Sequence, residues 1–377
     1  VLMAAVQGSD YMPYTVRVTV RDGDVVDATC TCLYHYGGWC KHIVAALLAA
    51  GEHPERVEER PSLTARLSAL SQDELLTLLQ RLIEREPEFA AAIERSLPVV
   101  AIEAGNPDAV PAVDPAAIKA RIGQSLHGLD RMRPSQAYWH VGGVVGDVRQ
   151  ELEPARALLD ADQARAALDL LRAVTDAWSE QWTWLDDSDG EASGLFYEIE
   201  PLLIEALLAA GLSRSELNAW ADRIEAWIAQ NSDYGAEAFY EALAAARNGW
   251  DEPHLLAVLN GESDVLEGPD DPELEESDTM IAIRLRVLAR HGQDDEALRL
   301  AAAAGHVAAY TLALIRRGQI DAAEKYALSR MTEPAEAREI AGAFQAAEVI
   351  DSALRVGERG LSLAGQPNWE SRTLATR

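Results

Sequence analysis

The sequence predicts a mainly α-helical protein that opens on a small ββα module and closes on helices stacked in pairs. Residues 14–30 alternate β-branched with polar positions across a turn signal, then run into an Ala- and Leu-rich stretch that stops at Gly51. From Pro61 onward, apolar residues recur at three- and four-residue spacing. Near the carboxyl end, two helix-turn segments repeat at an offset of 26 positions.

The strands come first. YTVRVTV (Tyr14 to Val20) reads as one, Arg21-Asp22-Gly23-Asp24 as the turn, and VVDATCTC as the second. After Gly37 and Gly38, WCKHIVAALLAAG reads as a helix that ends on a residue suited to a helix stop. This module spans residues 1–55. The chain begins at Val1 rather than at an initiator methionine, so the reading is of an excerpt, with room for further strands upstream.

A helical segment follows at 61–97. Ser71-x-x-Glu74 is a capping box, and behind it Leu75, Leu78, Leu79 and Leu82 form one stripe. A helical domain is expected over 115–260. Within it Ala164, Leu168, Leu171, Val174 and Trp178 share a face, and Ser213-x-x-Glu216 opens a helix carrying Leu217, Trp220, Ile224 and Trp227. Pro98 to Pro115 reads as a linker, as does Glu262 to Asp278, which holds nine acidic residues and no Lys or Arg. Residues 279–377 hold the repeat: Leu288, Gly292 and Ala297 align with Leu314, Gly318 and Ala323, and QAAEVIDSALRVG is a looser third copy. Small residues at matched positions let paired helices approach closely, which gives this end a tetratricopeptide-like α-solenoid character, although 26 is shorter than that family's ~34-residue period.

Composition limits the function classes. Hydrophobic residues make up 48% of the chain, and 33 Lys and Arg face 62 Asp and Glu for a formal net charge of -29. Such a field repels phosphate backbones and speeds encounter with basic partners. With no run of about 18 apolar residues and no signal-peptide pattern at the amino end, a soluble, cytoplasmic protein without a membrane partner is expected.

The chemistry concentrates in ATCTCLYHYGGWCKHIVAALLA. The chain's three cysteines fall between Cys30 and Cys40, a poor disulfide framework but a good metal set: Cys30-x-Cys32, seven residues, Cys40-x-His42. Residues two apart on a strand point to one face, so Cys30 and Cys32 can converge on one ion. Cys40 must then lie at or just before the first helical turn, with His42 within it. Three thiolates and one imidazole complete a closed tetrahedral set for one structural Zn2+, with no position for a catalytic water. Three buried cysteines with a core histidine, or an iron–sulfur cluster on the same donors, are the rival readings. His35, inside the gap, is a rival nitrogen ligand, but the Cys-x-His pairing favours His42.

These residues resemble the SWIM zinc finger family, whose pattern is Cys-x-Cys, a variable gap, then Cys-x-His on a ββα unit. The helical remainder is similar to the long extension of bacterial SWIM-domain proteins, in ELLTLLQRLIEREPEFA, the Tyr138-Trp139 region and the acidic turn Leu185 to Gly190. The resemblance implies contacts with protein or DNA and, for bacterial members, association with Swi/Snf-type helicase-like ATPases.

Other candidates carry less. Asp186, Asp187, Asp189 and Glu191 suggest calcium, yet Leu185 stands where a calcium loop needs its first carboxylate, which favours a solvated turn. Trp178, Trp182 and Trp184 suggest a peptide groove or, more simply, a helix end anchored in the core. His127, His140, His254, His291 and His306 are scattered, and neither a phosphate loop nor a nucleophile elbow is present. The expectation is a zinc-stabilised interaction module or adaptor rather than an enzyme, with a protein partner preferred and DNA disfavoured by charge.

Overall fold

The computed structural model describes residues 1–8, 11–21, 24–32, 34, 38–57, 63–86, 88–105, 112–129, 132–133, 137–266 and 277–363. They fall into two compact units, Val1–Glu86 and Pro87–Arg377.

The first unit is built on an antiparallel sheet in the order β1 (Leu2–Val6), β2 (Tyr14–Arg21), β3 (Asp24–Cys30). β2 and β3 are the expected hairpin; β1 is an addition to the expected ββα module. Its residues, LMAAV, hold little β-branched character, but they alternate in burial and pair Leu2 with Val18, Ala4 with Val16 and Val6 with Tyr14. Across the hairpin Val16 pairs with Cys30 and Val18 with Ala28. Because residues two apart share a face, these pairs set one apolar face, on which α1 (Lys41–Glu52) rests with Ile43 and Ala46 buried.

α2 (Leu63–Ser68) and α3 (Gln72–Arg85) follow. α3 opens on the expected capping box: the Glu74 N–H donates to Ser71 Oγ at 3.3 Å and the Ser71 N–H to the Glu74 carboxylate at 2.8 Å. Its leucine stripe is in place, yet no α3 side chain is buried.

In the second unit, α4 (Glu88–Glu103) corrects the linker reading at its start: the helix runs through Pro98 to Glu103. A proline inside a helix loses one backbone bond. Packing against α7 and an Arg95–Glu151 ion pair at 3.2 Å offset that loss. α5 (Pro115–His127) begins where the Asp114 carboxylate accepts the N–H groups of Ala116 and Ala117. Then come α6 (Val141–Gln150), α7 (Glu153–Asp160), α8 (Ala164–Gln181), α9 (Glu191–Ala209), α10 (Arg214–Ser232), α11 (Tyr240–Asn248) and α12 (Pro253–Leu259). α9 is the axis of this core. Leu195, Phe196, Ile199, Leu203 and Ile204 are fully buried, as a helix apolar around its circumference must be, and α6, α7, α8 and α11 pack around it. The Phe196 ring meets Trp182 and Phe239 edge-on at 5.5 and 5.6 Å.

The core continues into α13 (Asp278–Arg290), whose Met280, Ile283 and Val287 join the cluster formed by α5 to α11. Most of the acidic stretch before α13 lies outside the described residues. After α13 come α14 (Asp294–Ala303), α15 (Val307–Arg316), α16 (Ile320–Arg330), α17 (Pro334–Ala346) and α18 (Ile350–Leu363); α13 to α16 pack in sequence, α17 packs on α15 and α18, and α18 also packs on α16. The repeat is real in geometry. Gly292 and Gly318 adopt left-handed φ of 69° and 72°, and the Gln293 and Gln319 N–H groups each reach back 2.9 Å to the carbonyls of Leu288 and Leu314. Ala297 and Ala323 are buried behind these turns. The third copy keeps the turn with Glu348 at φ 61°, and a fourth, not visible in the sequence, joins α7 to α8 through Asp162 at φ 59°. Among the described residues, no helix is long and apolar enough to cross a membrane.

Candidate metal centre

Cys30 ends β3 beside Val16. One step on, the Thr31 N–H donates to the Thr15 carbonyl at 3.1 Å and the Thr15 N–H to Thr31 Oγ at 3.0 Å. These bonds extend the pairing and bring Cys32 round to the face that holds Cys30 and Tyr14. The connection back includes Gly38, at a left-handed φ of 70° that glycine adopts without strain. His35 lies outside the described residues. Cys40 is the N-cap of α1, in extended backbone, and its carbonyl accepts the Val44 N–H at 3.2 Å. His42 therefore stands in the first turn, as the spacing predicts.

The four side chains converge. Their ligand atoms all lie within 4.8 Å of one another, and His42 Nδ1 is 3.8 Å from Cys30 Sγ and 3.9 Å from Cys40 Sγ. A tetrahedral zinc with Zn–S near ~2.3 Å and Zn–N near ~2.0 Å holds its donors about 3.5 to 3.8 Å apart, so the set fits with a slight contraction. The nitrogen facing the sulfurs is Nδ1, and Cys30, Cys32, Cys40 and His42 are positioned to bind one zinc ion. Among the described residues, this is the group of metal-binding side chains the fold gathers.

The thiols are unequal. Burial, with Cys40 nearby, pushes the Cys30 thiol up to about 11. Burial is also the largest influence on Cys40, but the backbone amides of Ile43 and His42 at the helix start, together with the other thiols, bring it below its usual value. Zinc binding takes these thiols as thiolates, so it releases their protons.

Residues 16–51 match the SWIM zinc finger family. This segment is a SWIM zinc finger. No curated protein and no solved structure matches the chain. The SWIM assignment therefore rests on the finger, and the helical remainder has a fold without a matched relative.

Two neighbours of the finger's histidine escaped the sequence reading. The Tyr14 ring stacks on His42 with centroids 4.4 Å apart and planes at 29°, and Gly8 passes close to both rings. The alternation that puts Tyr14 on the face of Val16 and Cys30 is the signal that points to it. The other candidates part company. Trp178 and Trp182 are core residues, whereas Trp184 is 85% exposed, so the three form no common groove. In the acidic turn Asp187 accepts the Ala192 and Ser193 N–H groups at the start of α9, Asp186 accepts from Ser188, and Asp189 accepts the Tyr138 hydroxyl. Those carboxylates shape a turn. Of the scattered histidines, His291 sits 3.2 Å from Asp162.

Proposed function

We propose that the protein is an adaptor: zinc fixes the finger, and the helical body engages a protein partner that presents basic, Arg- or Lys-rich segments. The observation that carries this reading is two exposed tryptophans, one next in sequence to the acidic turn and the other linked to it through Tyr138. Trp184 precedes the turn, Trp139 is 80% exposed, and the neighbouring Tyr138 donates its hydroxyl to Asp189 within the turn. Large aromatics are rarely left so open, and they supply much of the contact energy at protein interfaces. Carboxylates beside tryptophan faces suit guanidinium and ammonium groups, and the net charge of -29 draws such partners in.

Two polar sites among the described residues fit a non-enzymatic role. The zinc donor set is closed. In the second unit, a cavity of about 620 Å³ is lined by Arg95, Arg121, Arg172, Glu94, Glu151 and Asp169, but Arg95 and Arg121 donate to Glu151, Arg121 also to Glu94, and Arg172 to Asp169, so these groups are engaged with one another. The alternative reading, DNA contact alongside a Swi/Snf-type helicase-like ATPase, draws on the family alone. Over Val1 to Gly51 the sequence has three cations, Arg17, Arg21 and Lys41, for four aspartates, Asp10, Asp22, Asp24 and Asp27, and phosphate binding needs clustered positive charge.

The test has two arms. An Arg-rich peptide titrated onto zinc-loaded protein is expected to quench tryptophan fluorescence, and Trp139→Ala with Trp184→Ala is expected to weaken that binding at least tenfold. Fluorescent single- and double-stranded DNA is expected not to bind at physiological salt. Micromolar DNA binding that weakens steeply with salt would transfer the function to the nucleic-acid class.

A further inference from the structure

We propose that Gly8 and Tyr14 form the outer wall of the zinc site and position the His42 imidazole with Nδ1 toward the metal. This rests on the zinc reading of Cys30, Cys32, Cys40 and His42. A metal-bound histidine is normally oriented by a hydrogen bond from its second ring nitrogen to a carboxylate, carbonyl or water. In this finger His42 Nε2 is buried and has no such partner among the described residues. What bears on the ring among the described residues is shape. Tyr14 covers one face of the ring in a stacked arrangement, 4.4 Å between centroids. Gly8 closes the far edge: a Cβ built there would fall 2.8 Å from His42 Nε2 and 2.5 Å from the Tyr14 ring, closer than non-bonded atoms approach.

The consequence is chemical as well as steric. With Nε2 walled off, the ring can offer the metal only Nδ1, and the imidazole cannot swing out to let water take the fourth position. Both wall residues lie upstream of the segment that matches the family, which begins at residue 16. They arrive by strand pairing, since β1 places Val6 against Tyr14 and the chain then continues through Gly8. The zinc affinity of this finger is accordingly set in part by residues outside its motif.

Gly8→Val, Tyr14→Ala, Tyr14→Phe and His42→Ala, each in the 377-residue chain, separate this role from a general one. Competition with a zinc chelator reads affinity, and X-ray absorption at the zinc edge reads imidazole coordination directly. Gly8→Val and Tyr14→Ala are expected to bind zinc roughly 10- to 100-fold more weakly and to lose imidazole scattering toward the His42→Ala level. Tyr14→Phe, which keeps the stack, should remain near the original protein in both. Should Gly8→Val disrupt the sheet, the Tyr14 pair decides alone. Unchanged affinity, or weaker binding with the imidazole signal fully retained, would overturn the proposal. An original protein whose zinc lacks imidazole scattering would instead overturn the ligand set itself.

Discussion

The finger and the body reach a defined structure by different means. In the finger the buried apolar set is Val16, Val18, Cys40, Ile43 and Ala46, and one of these is itself a metal ligand. In the body, Trp178, Phe196, Ile199 and Leu203 belong to one interior cluster drawn from α5 to α11 and α13. Interior volume grows faster than surface, so the body can exclude water with side chains alone, whereas a sheet with one helix cannot. The finger replaces missing apolar area with four bonds to one ion.

Removing a ligand should break this contrast most sharply. Cys32→Ser or His42→Ala forfeits much of an apparent ~10 to 16 kcal/mol of metal-binding free energy, so the finger should unfold through α1 while the body keeps its helical circular dichroism. Single variants that still bound stoichiometric zinc at the original affinity would show that the finger stands without its ion. The reciprocal change belongs in the repeats. Ala297→Phe or Ala323→Phe forces a large ring into a closed helix contact and should cost the body on the order of 1 to 3 kcal/mol, read as a lower urea midpoint with zinc affinity untouched.

The smallest effect is electrostatic. Arg355 and Ser352 on α18 hold the Glu324 carboxyl on α16 down to about 2 from an ordinary 4.5. A carboxylate lowered on folding contributes its stability fully above the unfolded value and loses it as pH falls from about 4.5 toward 2. Glu324→Gln should flatten the acid unfolding profile of the last helices over that window, and an unchanged profile would remove the ion pair from the account.

What the sequence disclosed follows the range of the forces involved. The ligand spacing, the capping boxes at Ser71 and Ser213 and the stripe from Ala164 to Trp178 are local patterns, and each was legible. β1 was not, because Met and Ala announce no strand and only pairing with β2 makes them one. Pro98 signals a break, yet contacts from distant residues carry α4 past it. The left-handed turns at Asp162 and Glu348 were hidden by the absence of glycine, the usual marker of that conformation. Trp182 and Trp184 stand two positions apart with opposite fates, a difference set by the arrival of Phe196 and Asn231 against Trp182. Gly8 could not be read at all, since the ring it borders belongs to a residue 34 positions later.

The position of β1 also decides how the finger can be excised. The family segment starts at Val16, inside β2, and β2 is the middle strand of the sheet. A fragment cut at that boundary would expose the backbone N–H and C=O groups that β1 now occupies, along a strand whose other edge is already paired. Open edges of this kind recruit strands from other copies. A recombinant finger trimmed to its motif is therefore a template for edge-to-edge association, and a well-behaved fragment must start no later than Leu2.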